Sequence, residues 1–501
     1  MKKIFSRIFL LPKRFIARFK LLHSRLSVNE KRIVFLLFFI ILILGGLRIN
    51  IYIQKNTRLV PTFGGTYQSV MVGKYSHGDP VEARSFIDET VSGLVYSGLT
   101  AINDGGQIVP MLALKWSIPE DGKKYIFYLK KDLFWHDEVP VTARDVEFTI
   151  QNIQDPANQS PHFDNWQGVT TKVLDDYTIE FSLAEKSAPF LSATTVGIIP
   201  SHIPMKDQSR RMVGTGPYIL KKAIVTPENG IQQIVFEANK KWIKGSPWIA
   251  NVNLIFTETM EEAENLAQSN NEVSAISGRF YRAPKAPASF INYQIPTNRK
   301  LVLFINAGID PFKDIENRKK ILDSQPVDLG RKVSFLTDKK SNKDPKVENL
   351  IKQLEGQKIN LDVQDLESGE LKDKSDKREY DLLVVPIEFG ADQDLYPFFH
   401  SSQKNAGGLN FANFEDHDLD SLLADGRMNL DEAKRTDLQK QIDQKLKDLA
   451  LYKEIDQEKL FWSVSPTIKG IKSNNQEINS VDSLTKIETW YIKQKKTLKY
   501  R

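Results

Sequence analysis

Ile33 to Leu47 is an unbroken apolar run, and continuing it through Arg48 to Ile53 gives about twenty residues, the length needed to cross a bilayer if Arg48 snorkels to the interface. Beyond it the patterning is that of a globular chain. Pro119-Glu120-Asp121-Gly122 reads as a turn, and Tyr125 to Lys130 alternates, with Tyr125, Phe127 and Leu129 on one face, which predicts a strand. Thr142 stands three residues before Asp145 and opens a helix continued by Val146, Ile150 and Ile153. One strand is predicted over Asp175 to Leu183, and others over Lys332 to Leu336, Ile359 to Val363 and Tyr380 to Pro386. Val347, Leu350, Ile351 and Leu354 predict a helix from Pro345. Leu438, Ile442, Leu446 and Leu449 form an apolar stripe on a charged helix, too short a repeat for a coiled coil and so expected to pack on the body. Lys486 to Arg501 reads as a solvated basic tail.

Charge changes the picture only at one end. The net charge is +6. Residues 1–32 hold ten Lys/Arg against the single acid Glu30, which leaves 59 basic and 62 acidic residues after position 32. The body is nearly neutral, so bulk electrostatics gives no case for a nucleic-acid partner. The basic flank before the apolar run orients the N-terminus to the cytoplasm and the rest outside. The long basic flank and the lack of a small-x-small site after Leu47 favour an uncleaved anchor over a cleaved signal peptide. Residues 4–22 read equally as a basic amphipathic helix or a disordered basic tail. The chain has no cysteine, which excludes disulfides, thiolate metal sites, Cys nucleophiles and a lipidated N-terminal Cys.

No G-x-S-x-G, H-E-x-x-H or P-loop occurs, so nothing in the sequence recruits catalysis, and no enzyme is expected. Gly214-x-Gly216 is followed by Pro217 and lacks the third Gly and the Lys of a phosphate loop. Asp416, His417, Asp418 and Asp420 cluster without EF-hand spacing and are better explained as a helix N-terminus, and His136-Asp137 has no second His nearby in sequence. Neither a metal nor a cofactor is expected.

Residue order is more specific than pattern. Leu112-Ala113, Trp116, Gly122-Lys123, Phe127-x-Leu129-Lys130-Lys131-Asp132, Phe134-Trp135, Asp137 and Thr142-Ala143-x-Asp145-Val146 follow one another within one stretch. They are flanked by Gly64-Gly65-Thr66-Tyr67, Asp79-Pro80, Val213-Gly214-Thr215-Gly216-Pro217-Tyr218 and Asn410-Phe411-x-Asn413-Phe414. This order resembles the family 5 solute-binding proteins of ABC importers, the oligopeptide, dipeptide and nickel binders. Glu138 stands where that family usually has Gly, so the loop must avoid positive φ or accept strain. Ile321-Leu322 runs quickly into the strand at Lys332, where the family has tens of residues more.

The resemblance implies an α/β, bilobed periplasmic-binding-protein type II-like fold with an inserted subdomain in lobe 1, preceded by one N-terminal transmembrane helix. The expected organisation is a basic cytoplasmic segment (1–32), the anchor (33–53), lobe 1 (61–99, 200–290 and 462–501), its inserted subdomain (100–199) and a shortened lobe 2 (291–461). The implied function is capture of peptides or similar small solutes for an ABC transporter permease, with a surface scaffold or sensor that keeps the fold without transport as the alternative. Asp392 is the residue expected to meet a ligand ammonium, with Asp394 a second carboxylate in the same loop. Phe389, Tyr396 and Trp166 are expected to line the pocket, together with His77 and Asp79 from the first lobe.

Overall fold

The computed structural model describes residues 27–103, 106–119, 121–226, 230–279, 283–339, 341–389, 394–473 and 486–498. It divides into two compact units, Met1–Thr62 with Lys493–Arg501, and Phe63–Ile492. The expectation for residues 4–22 lies outside the described residues.

In the smaller unit the apolar run is the helix Val28–Asn56, none of whose residues is buried. It is long and apolar enough to cross a membrane. Ser27 and Glu30 close a capping box at its start. The chain passes directly into strand β1 (Thr57–Thr62).

The larger unit is built on one ten-stranded sheet. Its first part uses β2 (Thr66–Val72) and, after an excursion, β9 (Tyr218–Thr226), β10 (Gly230–Ala238), β11 (Asn251–Thr257) and β12 (Ala275–Arg279). The excursion contains the hairpin β3 (Thr100–Ile102) and β4 (Ile108–Pro110), and a four-stranded sheet of β5 (Ala113–Ser117), β6 (Lys124–Leu129), β7 (Thr170–Asp175) and β8 (Thr178–Ser182). The second lobe adds β14 (Val333–Asp338), β15 (Leu361–Leu366) and β16 (Leu382–Glu388). Two long strands, β13 (Ile291–Ile305) and β17 (Tyr452–Val464), join the halves, and the order is β15-β14-β16-β13-β17-β12-β2-β11-β10-β9. Strand β18 (Lys493–Leu498) belongs to the smaller unit, where it pairs antiparallel with β1 from Thr57↔Leu498 to Thr62↔Lys493. The expected basic tail is therefore in part a strand.

β13 and β17 pair antiparallel from Ile291↔Val464 to Phe304↔Tyr452. Their register breaks between Pro296 and Lys300, where Pro cannot donate to the ladder. On one side of the break β17 continues the sheet through β12, and on the other β13 continues it through β16. The mixed α/β core divides accordingly. One apolar cluster unites the first lobe with the inserted subdomain, and two others cover opposite faces of the second-lobe sheet. Ile442 and Leu446 of the charged helix Glu432–Leu449 are buried in one of these, as their stripe predicts.

The signature stretch is structural. Tyr125, Phe127 and Leu129 are buried, and Phe127, Phe181, Phe190 and Trp166 form a ring-on-ring cluster at 5.2–5.8 Å. Asp145 accepts from the Thr142 N–H at 2.8 Å and, through its other oxygen, from the Ser201 N–H and hydroxyl at 2.8 and 2.7 Å. The strand expected over Asp175 to Leu183 is β8, with its first residues taken by a turn: Asp175 accepts from the Tyr177 N–H at 2.8 Å, an Asx turn that reverses β7 into β8.

His136 ties this stretch to the Gly214-Thr215-Gly216 motif. Its N–H donates to Gly214 O at 2.9 Å, its Nδ1 accepts from Gly214 N–H at 3.2 Å, and its Nε2 lies 3.2 Å from Gly216 O. An added Cβ at Gly214 would overlap the Val95 carbonyl, and one at Gly216 would lie 2.6 Å from the Val95 carbonyl carbon. These glycines are required by backbone approach, not by a phosphate. Burial pushes the His136 imidazole down to about 4.

Two predictions follow from these contacts. A folded-state pKa below the unfolded value of about 6.5 means that the unfolded chain binds the proton first. His136 therefore costs stability as pH falls from about 6.5 to about 4, by about 3 kcal/mol in all. Urea unfolding at pH 7.5 and 5.0 should show about 2 kcal/mol of this loss in the native chain and much less of it in His136→Gln. Glu138 accepts the strain expected at its position, with φ of 70° and its carboxylate paired to Lys241 at 2.7 Å. Because that pair is exposed and the left-handed conformation is unfavourable for a side chain, Glu138→Gly should stabilise the protein by about 0.5–1 kcal/mol in the same assay.

Candidate functional site

The loop that follows β16 is held at both ends. Phe389 continues the strand, its N–H donating to Asn298 O at 3.0 Å beside the register break of β13, and its buried ring meets Phe398 edge-on at 5.1 Å. Lys300 Nζ lies 5.3 Å from the centre of the same ring and pairs with Glu454 at 2.7 Å. Asp392 lies outside the described residues. At the far end Asp394 accepts from the Tyr396 N–H at 3.0 Å and opens the short helix Tyr396–Phe399.

Asp394 is not free to wait for a ligand cation. Arg427, from the helix His417–Met428, brings its Nε to 3.2 Å from Asp394 Oδ2 and its guanidinium over the Tyr396 ring at 4.7 Å. Burial pushes the Asp394 carboxyl up, and Arg427 and the Tyr396 N–H partly offset this. Tyr396 is also stacked on His400 at 4.1 Å. Arg427 was not singled out by sequence, since a polar residue on a charged helix carries no local signal. Its backbone carbonyl accepts from Ala188 N–H at 2.9 Å, so the same residue joins the second lobe to the inserted subdomain. A cavity of about 890 Å³ opens beside this contact, lined by Lys186 from the subdomain and by Asp425, Met428, Leu430 and Asp431 from the second lobe.

His77 and Asp79 belong to the opposite side. His77 Nδ1 is 3.2 Å from Glu82 Oε2, and Burial and the nearby Asp79 push the Glu82 carboxyl up. Asp79 is wholly buried; one oxygen accepts from the Val81 and Glu82 N–H groups at 3.1 and 3.0 Å, and the other from the Ser209 hydroxyl. These bonds commit Asp79 to the turn it closes. Trp166, expected at a pocket wall, is 1 % exposed and packed on Phe181 and Phe190. It is core of the inserted subdomain, because its ring is the largest apolar surface between those elements.

Next to Asp79 lies a smaller cavity of about 180 Å³, lined by Pro80, Ala83, Ser92, Tyr96, His162 and Thr195 among others. The Tyr96 hydroxyl is buried there without a hydrogen-bond partner among the described residues. Burial raises its pKa, and burial lowers that of His162, so both present neutral groups at pH 7. Size favours the larger cavity as a ligand site, since pockets of about 300–1,000 Å³ are usual. Chemistry favours the smaller, where an unsatisfied buried hydroxyl invites a polar group. Among the described residues, none of those expected to meet a ligand lines the larger one. His162 was missed in the sequence because a lone His after Pro161 has no distinguishing spacing.

The acidic cluster at 416–420 behaves as a helix start. Asp416 accepts from the Leu419 N–H at 2.9 Å and pairs with Lys445 at 3.2 Å. Asp137 does acquire a distant histidine: His202 Nε2 lies 2.8 Å from its Oδ2, an exposed pair at the subdomain surface.

Removing Arg427 removes the group that offsets the burial of Asp394. Arg427→Gln should move the Asp394 carboxyl higher still, read by NMR titration of its carboxyl carbon, and destabilise the protein by about 1–3 kcal/mol at pH 7. A folded pKa raised above the unfolded one favours the native state while the group is protonated. The variant should therefore lose stability as pH rises through that value.

Residues 107–321 match the model of the bacterial extracellular solute-binding proteins, family 5 middle region. The probable deoxycholate-binding periplasmic protein YgiS of Escherichia coli is 27 % identical over 205 residues, covering 34 % of this chain and 37 % of its own length. The periplasmic oligopeptide-binding protein OppA of Salmonella typhimurium is 27 % identical over 199 residues, 34 % of this chain and 36 % of its own. The match thus spans little more than a third of these relatives. Solved structures extend the likeness in fold. The ABC transporter substrate-binding protein CtaP of Listeria monocytogenes superposes with a TM-score of 0.71 at 20 % identity, over 86 % of this chain and all of that one. HbpA2 of Haemophilus parasuis gives 0.72 at 15 % identity, over 86 % and 100 %. The architecture is therefore the bilobed fold of periplasmic binding proteins, and residues 107–321 are similar to the middle region of the family 5 solute-binding proteins.

Proposed function

We propose that the protein is a membrane-anchored, extracytoplasmic solute-binding protein that takes peptides or similar small solutes into the cleft between its lobes and delivers them to an ABC-type permease. The observation that carries this is the register break of β13 and β17 at Pro296–Lys300, where the sheet passes from β12 on one side to β16 on the other. A sheet continuous through two strands and irregular at their crossing is a natural hinge, and closure about it buries a ligand and alters the surface presented to a permease. The relatives' names point to small organic solutes, among them oligopeptides. In this reading the helix Val28–Asn56 stays attached, the N-terminus is cytoplasmic and the lobes are outside.

Asp392 is assigned to the ligand ammonium and Tyr396 and Phe389 to apolar contact with the ligand, while Asp394 is held by Arg427. His77, 44 % exposed at its side chain, stands at the first-lobe rim. The scaffold or sensor reading has one observation in its favour. Only residues 323–332 separate the helix Ile315–Leu322 from β14, so the second lobe is short. An importer-type permease and ATPase encoded beside the gene favours transport; their absence favours the scaffold.

Isothermal titration against peptide pools tests the binding itself, and a folded sample that binds no pool contradicts it. Asp392→Asn should weaken a bound peptide by about 2–5 kcal/mol, the cost of removing one partner of a buried charged pair. Unchanged affinity removes Asp392 from the site.

A further inference from the structure

The membrane helix does not end in a linker. The Thr57 hydroxyl donates to Ile53 O at 2.6 Å and the Asn56 side chain to Tyr52 O at 2.9 Å, closing the last turn, and Thr57 is already extended, with φ of −111° and ψ of 150°. A helix of 29 residues is about 43 Å long, which matches a bilayer's hydrocarbon core with its headgroup layers, about 40–45 Å. If the helix spans, β1 starts at the outer headgroup boundary and runs along it or away from it as a two-stranded ribbon with β18.

The ribbon is basic. Residues opposite each other share a face, and the register sets Arg58 by Thr497, Val60 by Lys495 and Thr62 by Lys493. Arg58, Lys493 and Lys495 therefore line one face. On the other, Leu59, 56 % exposed, stands opposite Lys496. All four cations are exposed, neither strand contains an acid, and among the described residues none of the four meets a carboxylate. Residues 493–501 carry five Lys/Arg and no acid, whereas the chain beyond position 32 is net acidic. Like charges crowded on a two-stranded ribbon oppose its pairing, and such ribbons are marginal in water even without that load. An anionic surface at the helix end removes the repulsion.

We propose that the β1–β18 ribbon is a second membrane attachment, in which the face carrying Arg58, Lys493 and Lys495 holds the phosphates of anionic lipids in the outer leaflet. This rests on the anchored reading above. The lysines of β18 lie hundreds of residues from the helix in sequence, so they join it only on folding and do not compete with the N-terminal flank in setting orientation.

The full chain in nanodiscs tests this by amide hydrogen exchange over 57–62 and 493–498, compared between pure phosphatidylcholine and a mixture containing about one third phosphatidylglycerol. Exchange should be about tenfold slower in the anionic discs. The difference should vanish in about 0.5 M salt, where screening shortens electrostatic reach. It should also vanish in the variant R58Q/K493Q/K495Q, whose thermal unfolding should be unchanged. Equal exchange in the two lipids, or a difference between the lipids that persists in the variant, overturns the ribbon's role. The intact mass of protein extracted from cell membranes separates the two readings. A chain lacking the helix overturns the anchor and the ribbon with it, whereas a full-length chain with lipid-independent exchange overturns the ribbon alone.

Discussion

The larger unit depends on two strands that belong to both of its lobes. β13 and β17 pair along nearly their whole lengths, and each lobe's sheet is completed by one of them. A break in the ladder at Pro296 removes hydrogen bonds where the pair crosses from one lobe to the other, which makes bending cheapest there. Everything relevant to binding hangs from that constraint. Phe389 bonds to Asn298 within the break, so the end of β16 is tied to the point about which the lobes would turn.

The stretch from Met111 to Ile153 identifies the fold without forming the site. Its aromatics are the interior of the inserted subdomain, and Asp145 and His136 fasten that subdomain to Ser201 and to the glycines at 214 and 216. In such a motif each residue fits a fixed neighbour. That is why residue order revealed the architecture and said little about the ligand.

Local signals were readable where one residue and its near neighbours decide the outcome. The alternation at Tyr125–Leu129, the stripe at Ile442 and Leu446 and the helix start at Asp416 all formed as their periodicity or capping chemistry required. Contacts between distant residues were not readable. Nothing near Arg427 announces Asp394, and nothing near Asp137 announces His202, because each helix or loop satisfies its local pattern with many polar residues. Trp166 shows the opposite error: a large aromatic in a loop-like segment looks available, yet its area makes it the preferred filling for the subdomain. The strand at Lys493 escaped for a further reason. A lysine-rich hexamer has weak strand propensity, and its partner lies at the other end of the chain.

Ligand-dependent closure of the two lobes about β13 and β17 is the central claim. The chain has no cysteine, so spin labels can be placed at Asp164→Cys in the inserted subdomain and Lys440→Cys in the second lobe without background. Pulsed electron–electron distance measurement on the doubly labelled full chain, with and without a saturating peptide pool, reads the separation directly. The account predicts a shift to a shorter and narrower distance distribution when peptide is added. Distributions that coincide in both samples, from protein shown to be folded, would contradict it.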